Sequence, residues 1–400
     1  MTEGVEGSTM TSSQPAASQP GRVPAPVADP GAGRPGRAKL AAVNAASGVM
    51  LPVLKRLPDR VKRLMLGGRA VTVDGNTLDT TLQLVLAVQR ASGVGGLVAS
   101  DDLAVARAQL RKLAALVDSS VAVGVRNLSI PGPAGAMRAR HYTPVNDAPV
   151  GSPGGPTRSE PLLVFFHGGG FVVGDLETHD GLCRLICRDA GIHVLALDYR
   201  LAPEHKAPAA IEDCYAAYRW AVEHAAELGA DPQRVAVGGD SAGGNLATVV
   251  SHLARDDRDR GVPLPALQLL IYPVTNFASE TRSKALFADG FFLTKAHMDW
   301  FRDSYLNGAP IEVSDPRISP LLADDLAGLP PALVLTAGFD PLRDEGNLYA
   351  EALTAAGVAV DHRQYGSMVH AFTNFSALGG GSAIATADMV SALKAHLCRC

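Results

Sequence analysis

The sequence predicts an α/β protein with a mostly parallel central sheet covered by helices on both faces. Two observations carry that expectation. From residue 121 onward, short apolar runs of strand length recur, among them LLVFF, IHVLALDY, RVAVGG, LQLLIYP, ALVLTAG and VAVDHRQY. Several of them are separated by helical segments such as LCRLICRDA and CYAAYRWAVEHAAEL. Such alternation is the pattern of βα units, whose strands are buried on both sides. The two runs that come first, VAVGVRNLSI and MRARHY, read as an antiparallel pair.

Length and composition set the outer limits. The 400 residues are 47% hydrophobic and 19% charged, the profile of a globular protein. A net charge of -4 offers no basic footprint for nucleic acid. No run of about 18 apolar residues occurs, so stable membrane insertion is not expected. Five cysteines, Cys183, Cys187, Cys214, Cys398 and Cys400, form an odd set without paired metal-ligand spacing, and they read as reduced thiols in a cytoplasmic protein. Neither a metal nor a cofactor is expected, and homodimerisation is left open.

Along the chain, residues 1–38 are rich in Pro, Gly, Ser and Ala, without a signal-peptide core, and read as a disordered tail. Residues 39–400 read as a single domain. Within it, residues 48–118 repeat apolar side chains at three-four spacing in VLKRLPDRVKRLML, TLDTTLQLVLAVQRA and LAVARAQLRKLAALVD, so this stretch is read as amphipathic helices seeking a surface. PVGSPGGPT at 149–157 reads as a loop. Residues 277–306 interrupt the βα alternation with an aromatic-rich helical insert, and no internal repeat is visible.

The chemistry is carried by four stretches. VAVGGDSAGGNLA (235–247) places Gly239-Asp240-Ser241-Ala242-Gly243 between a buried-strand run and a helical run, the setting of a nucleophile elbow. Small flanking residues suit so sharp a turn, and the helix N-terminus favours developing negative charge. A glycine-rich βα turn with no chemistry is the alternative for that motif alone. The second stretch, PLLVFFHGGGFVVG (161–174), runs a buried strand into His167-Gly168-Gly169-Gly170. Three glycines let bare N–H groups approach an oxygen, so Gly168, Gly169 and Gly170, with the N–H of Ala242, form a candidate oxyanion hole. His167 is expected to shape the loop by hydrogen bonding. Phosphate binding is disfavoured, because neither stretch has the GxxxxGK[ST] lysine or GxGxxG spacing.

A serine nucleophile needs a base, and the base an orienting carboxylate. Asp340 is the first carboxylate after the strand ALVLTAG, while Asp344, one turn later, is the alternative, with capping or ion pairing as its other role. Three histidines follow. His362 lies in a strand-like run and His396 in the last helix, whereas His370 stands in the loop GSMVHAF after a strand and is the candidate base.

Taken together, these stretches resemble the hormone-sensitive-lipase family of α/β-hydrolase carboxylesterases, in the subgroup whose elbow reads GDSAG. The resemblance covers about 160–375 and includes HGGGFVVGDLETHD, DYRLAPEHKAPAA, GFFLT, SDPRISPL, GFDPLRDEG and VHAF. It implies an α/β-hydrolase fold, Ser241, Asp340 and His370 as a triad, the HGGG backbone as oxyanion hole, and a cap built from 48–118 and 277–306. Ser367 and Ala371 stand where many members carry glycine. The implied activity is hydrolysis of a small-molecule ester of short to medium acyl chain. Amide or carbamate hydrolysis uses the same parts, and a noncatalytic receptor of the same fold would be expected to lack the histidine. A carboxylate-nucleophile hydrolase is disfavoured by Ser241.

Three further groups have structural readings. Asp198, Arg200 and Glu204 in DYRLAPEH are expected to pair charges and brace the sheet edge. Asp240 has no assigned chemical role. His179 and Asp180 lack a third metal ligand and are expected to cap and brace their loop.

Overall fold

All eight strand-like runs from residue 121 onward become strands of one sheet. The computed structural model describes residues 1–2, 57–92, 96–98, 100–117, 121–145 and 160–398. The chain divides into two units, Met1–Gly33 and Arg34–Cys400; only residues 1–2 of the first are described, and the fold below is that of the second. Past residue 2, the 1–38 tail lies outside the described residues, as do the 149–157 loop and the start of the 48–118 stretch.

The uniformly helical reading of 48–118 is corrected. Helix α1 (Asp59–Met65) begins directly after Pro58, but a hairpin follows, β1 (Thr72–Val73) paired antiparallel with β2 (Asn76–Thr77). Its tip is Asp74-Gly75 with φ of 56° and 76°, the two left-handed positions of a type I′ turn. Helices α2 (Thr80–Ser92) and α3 (Leu103–Leu116) complete the segment. Asp102 caps α3 by accepting the Val105 N–H at 3.1 Å.

The main sheet then opens with β3 (Gly124–Gly132) and β4 (Gly135–Thr143), the expected antiparallel pair. The elements after it are β5 (Glu160–Phe166), α4 (Asp180–Ile186), β6 (His193–Asp198), α5 (Ala209–His224), β7 (Ala230–Asp240), α6 (Ala242–Asp256) and β8 (Gln268–Ile271). The insert contributes α7 (Arg282–Leu286) and α8 (Lys295–Leu306), and the chain closes with β9 (Ala332–Phe339), α9 (Arg343–Ala355), β10 (Val360–Val369) and α10 (Gly380–Leu397). The strand order is β10-β9-β8-β7-β5-β6-β4-β3, and every neighbouring pair from β10 to β6 is parallel.

Burial explains the composition of the strands. Six of the seven residues of β5 are buried, because α5, α6 and α9 cover one face of the sheet and α4 and α10 the other. β3, at the edge, is mostly exposed and tolerates Pro131. The functional consequence lies in the strand order. β5 pairs with β6 on one side and β7 on the other, so successive connections leave it in opposite directions. At such a switch point the strand ends diverge and open a crevice. The HGGG loop follows β5 and Ser241 follows β7, so both motifs stand at that crevice.

Candidate active site

Ser241 occupies the turn between β7 and α6 with φ 56° and ψ -116°, a conformation that costs a non-glycine residue on the order of 1–3 kcal/mol. The surroundings hold it there. Its N–H donates to Ile271 O at 2.8 Å, and its carbonyl accepts the Asn245 N–H at 3.1 Å. The two glycines of the motif are steric necessities: a Cβ at Gly239 or Gly243 would run into the Phe166 carbonyl of β5.

The sequence candidates for acid and base meet the serine. His370 Nε2 lies 2.9 Å from Ser241 Oγ, and His370 Nδ1 lies 2.7 Å from Asp340 Oδ2. Both His370 and Asp340 are buried. The other Asp340 oxygen accepts the Leu342 N–H at 2.8 Å, which fixes the carboxylate's rotation. The Tyr272 ring stands 4.8 Å from the His370 ring, and its hydroxyl bonds Thr373 on the histidine loop. Ala371 sits at φ 62°, a position suited to the glycine that many family members carry there.

The alternatives fall elsewhere. Asp344 accepts the Ser283 N–H at 2.7 Å and pairs with Arg343 at 2.8 Å, the ion-pairing role expected of it. His362 contacts Thr336 and His396 pairs with Asp361, both away from the serine.

Gly168 and Gly169 of the HGGG loop line the cavity that contains Ser241, but one of the candidate donors is taken. Gly168 N–H donates to Asp240 Oδ1 at 2.7 Å, so this donor is already engaged and is withdrawn from the oxyanion set. Among the described residues no hydrogen bond takes up the N–H groups of Gly169, Gly170 or Ala242. His167 Nδ1 lies 2.8 Å from Gly168 O, and the His167 ring stacks on Tyr199 at 4.3 Å, which bears out its shaping role. Burial and the neighbouring His179 push the His167 imidazole down to about 4, so it is neutral at pH 7.

Asp240 is the residue the sequence reading left without a role. Its carboxylate is buried beneath the HGGG loop, holding the Gly168 N–H and lying 3.1 Å from His179 Nε2. Burial alone would raise its carboxyl; the His179 ring and the Gly168 N–H overcome that and hold it below the usual range. The missed signal was an acid beside the nucleophile at the end of the buried run VAVGG, a place where a carboxylate must find buried donors.

The bracing groups behave differently from expectation in detail. Asp198, Arg200 and Glu204 do not pair with one another. Asp198 pairs with Arg138, Arg200 makes a two-pronged contact with Asp213, and Glu204 does so with Arg107 of α3. His179 is the N-cap residue of α4 without a capping hydrogen bond, so only its bracing role survives. Asp180 binds Arg140 and the Tyr142 hydroxyl, each at 2.8 Å.

Two cavities share Ser241 and Leu97. One contains His370 and is walled by Leu110, Leu113 and Val117 of the N-terminal helical segment. The other is walled by Phe171, Phe277, Leu293, Met298 and Phe301, mostly from the insert, above the buried Lys284–Glu345 ion pair at 2.7 Å. Among the described residues there is no group of three or more His, Cys, Asp or Glu placed to hold a metal, and no helix long and apolar enough to cross a membrane.

This fold with this serine turn defines a class, and the comparisons place the chain in it. The family described as having the alpha/beta hydrolase fold matches residues 163–374. Carboxylic ester hydrolase LipN of Mycobacterium tuberculosis is 57% identical over 88% of this chain and 92% of its own length. Carboxylesterase NlhH of the same organism is 41% identical over 75% of this chain and 91% of its own. Among solved structures, the ester hydrolase EH1AB1 from the metagenome of Lake Arreo, bound to a bipyridine phosphonate derivative, superposes with a TM-score of 0.71 at 41% identity, over 80% of this chain and 97% of that one. The chain belongs to the hormone-sensitive-lipase family of α/β hydrolases. At the level of reaction class it is a carboxylic ester hydrolase.

Proposed function

We propose that this hydrolase cleaves small-molecule esters of short to medium acyl chain with Ser241 as nucleophile, His370 as general base and acid, and Asp340 as its orienting carboxylate. The reading rests on the unbroken buried chain from Asp340 through His370 to Ser241 Oγ, at 2.7 and 2.9 Å. His370 Nε2 takes the hydroxyl proton as Oγ attacks the ester carbonyl, and Asp340 stabilises the resulting imidazolium. The N–H groups of Gly169, Gly170 and Ala242 receive the oxyanion. His370 then protonates the leaving alcohol, and a water it activates releases the acid. Every step uses side chains and backbone of this protein, so the chemistry needs no cofactor.

The same reading makes the 48–118 and 277–306 segments a cap, because Leu97, Leu110, Leu113 and Val117 of the first and Leu293, Met298 and Phe301 of the second line the two cavities. It also includes a cytoplasmic setting, supported by the free thiols of Cys183, Cys187 and Cys214. A p-nitrophenyl ester series from acetate to palmitate tests it, run on the wild type and on Ser241→Ala. Highest kcat/KM at short to medium chains, falling about a millionfold in folded Ser241→Ala, is the expected result. Substantial turnover by that variant would remove Ser241 from the mechanism.

A further inference from the structure

The HGGG loop runs into a residue held in a backbone state it does not favour. Gly169, Gly170 and Phe171 follow one another at φ 117°, 61° and 63°. The two glycines take positive values without penalty, but Phe171 at 63° persists only where its surroundings over-determine it. Asp240 holds the near limb through Gly168. The return limb is held from outside the sheet: Tyr305 of α8 stacks on the Phe171 ring at 4.0 Å, and one side chain of α3 grips the backbone.

Arg107 donates through Nε to Val172 O at 2.9 Å and through Nη2 to Ala202 O at 3.1 Å. Its two Nη atoms also engage both oxygens of Glu204 at 2.8 and 2.9 Å, which orients the guanidinium plane. The carbonyls it grips are wired to the loop. Val172 N–H donates to Gly169 O at 3.1 Å, and Ala202 N–H donates to Phe171 O at 2.8 Å. Two carbonyls and a carboxylate thus converge on one planar fork, an arrangement a lysine ammonium cannot reproduce.

We propose that Arg107 is a positioning residue for the oxyanion hole, so that helix α3 sets the geometry of the Gly169 and Gly170 donors as well as walling a cavity. The proposal rests on the reading of those N–H groups as oxyanion donors. It assigns the helix a part in the chemical step: without the clamp the strained loop relaxes, and its donors no longer meet the tetrahedral oxygen. Substrate binding in the two cavities is left in place, since Arg107 lines neither.

The test is steady-state kinetics of Arg107→Ala, Arg107→Lys and Glu204→Gln with p-nitrophenyl butyrate, alongside melting temperatures. Misplacement of reacting groups by about 1 Å costs up to roughly a hundredfold, so Arg107→Ala should lose about ten- to a hundredfold in kcat with KM within about threefold. Arg107→Lys should fall between it and the wild type. Added guanidinium ion at millimolar concentration should raise kcat of Arg107→Ala several-fold and leave the wild type unchanged, a readout that a loss of stability would not give. Glu204→Gln keeps both carbonyl contacts and, having lost a half-exposed ion pair, should stay within about threefold of wild type.

A kcat for folded Arg107→Ala within about threefold of wild type overturns the proposal, given that a single lost oxyanion donor already costs about a hundredfold or more. So does a loss that appears equally in Glu204→Gln, or one without guanidinium rescue. Should the alanine variant not fold, Arg107→Lys decides: lowered kcat at constant KM supports the clamp, and unchanged kcat overturns it. Failure here leaves Ser241-dependent turnover intact, whereas turnover that survives Ser241→Ala would sink the underlying functional reading.

Discussion

The serine turn and the HGGG loop both carry strained backbone at neighbouring strand ends, yet they are held in different ways. Ser241 at φ 56° is fixed by its own strand and helix and by β5 and β8 beside them, with Gly239 and Gly243 letting the Phe166 carbonyl pass. Gly169, Gly170 and Phe171 are fixed by groups distant in sequence: Asp240 from the elbow, Arg107 from α3, and Phe301 of α8, whose ring a Cβ on Gly170 would strike. Strain held locally can be read from a short motif. Strain held remotely requires the fold.

The largest expected effect tests the locally held half. His370→Ala removes the base while sparing the elbow's packing, and kcat should fall on the order of a millionfold, as for losses within a triad that acts as a unit. Steady-state turnover of the purified variant, with circular dichroism to establish folding, is the measurement. Turnover within about a hundredfold of wild type would mean that the buried Asp340–His370–Ser241 chain is architecture alone.

Next in size is a break in the remotely held half. A Cβ at Gly169 would collide with the Val173 backbone, and the φ of 117° excludes branched residues. Gly169→Val should therefore cost about a hundred- to thousandfold in kcat, the range for one lost oxyanion donor, with KM little changed. If kcat stays near wild type, the loop is only a tight turn. Asp240→Asn should cost less, about tenfold, because the amide oxygen still accepts the Gly168 N–H while the charge facing His179 is gone.

These differences explain what the sequence disclosed. The strands from 121 onward were legible because burial on both faces leaves apolar runs, as in LLVFF of β5. Ser241, Asp340 and His370 were legible because each follows a strand, in the chain order of the α/β-hydrolase fold. The β1–β2 hairpin was not read, although Asp74-Gly75 is the standard signal for it, because two-residue strands are too short to show a period among helices. The occupied Gly168 donor was invisible for another reason. Nothing local tells which of three glycines a carboxylate 72 residues away will engage. The partners of Asp198, Arg200 and Glu204 lie outside their motif for the same reason: the fold supplies Arg138, Asp213 and Arg107.

Acid should weaken the fold through its buried imidazoles, one of which, His167, lies in the remotely held half. Burial pushes His167, in the HGGG loop, and His141, on β4, down to about 4 from the usual 6.5. Above pH 6.5 both are neutral folded or unfolded, and the full stability is present. Between 6.5 and 4 the unfolded chain binds protons that the native state refuses, so stability falls as pH falls, by up to about 1.4 kcal/mol per pH unit for each fully affected group. Melting temperatures measured from pH 8 to 4.5 should decline below pH 6.5, and His167→Gln should flatten the decline. A melting temperature constant to pH 4.5 would contradict the neutral buried imidazole. The smallest effect is expected at Arg282, whose exposed side chain pairs with Asp74 at the hairpin tip: Arg282→Ala should leave the melting temperature nearly unchanged, because water and salt screen such a pair.

The central claim is that Ser241 is a nucleophile made reactive by His370. It is tested most directly by treating the protein with a p-nitrophenyl alkylphosphonate and mapping the adduct by peptide mass spectrometry. The account requires one equivalent of label on the peptide containing Ser241, loss of esterase activity in step with labelling, and labelling of His370→Ala slowed by orders of magnitude. Label on another residue, or full inactivation with Ser241 unmodified, would contradict it.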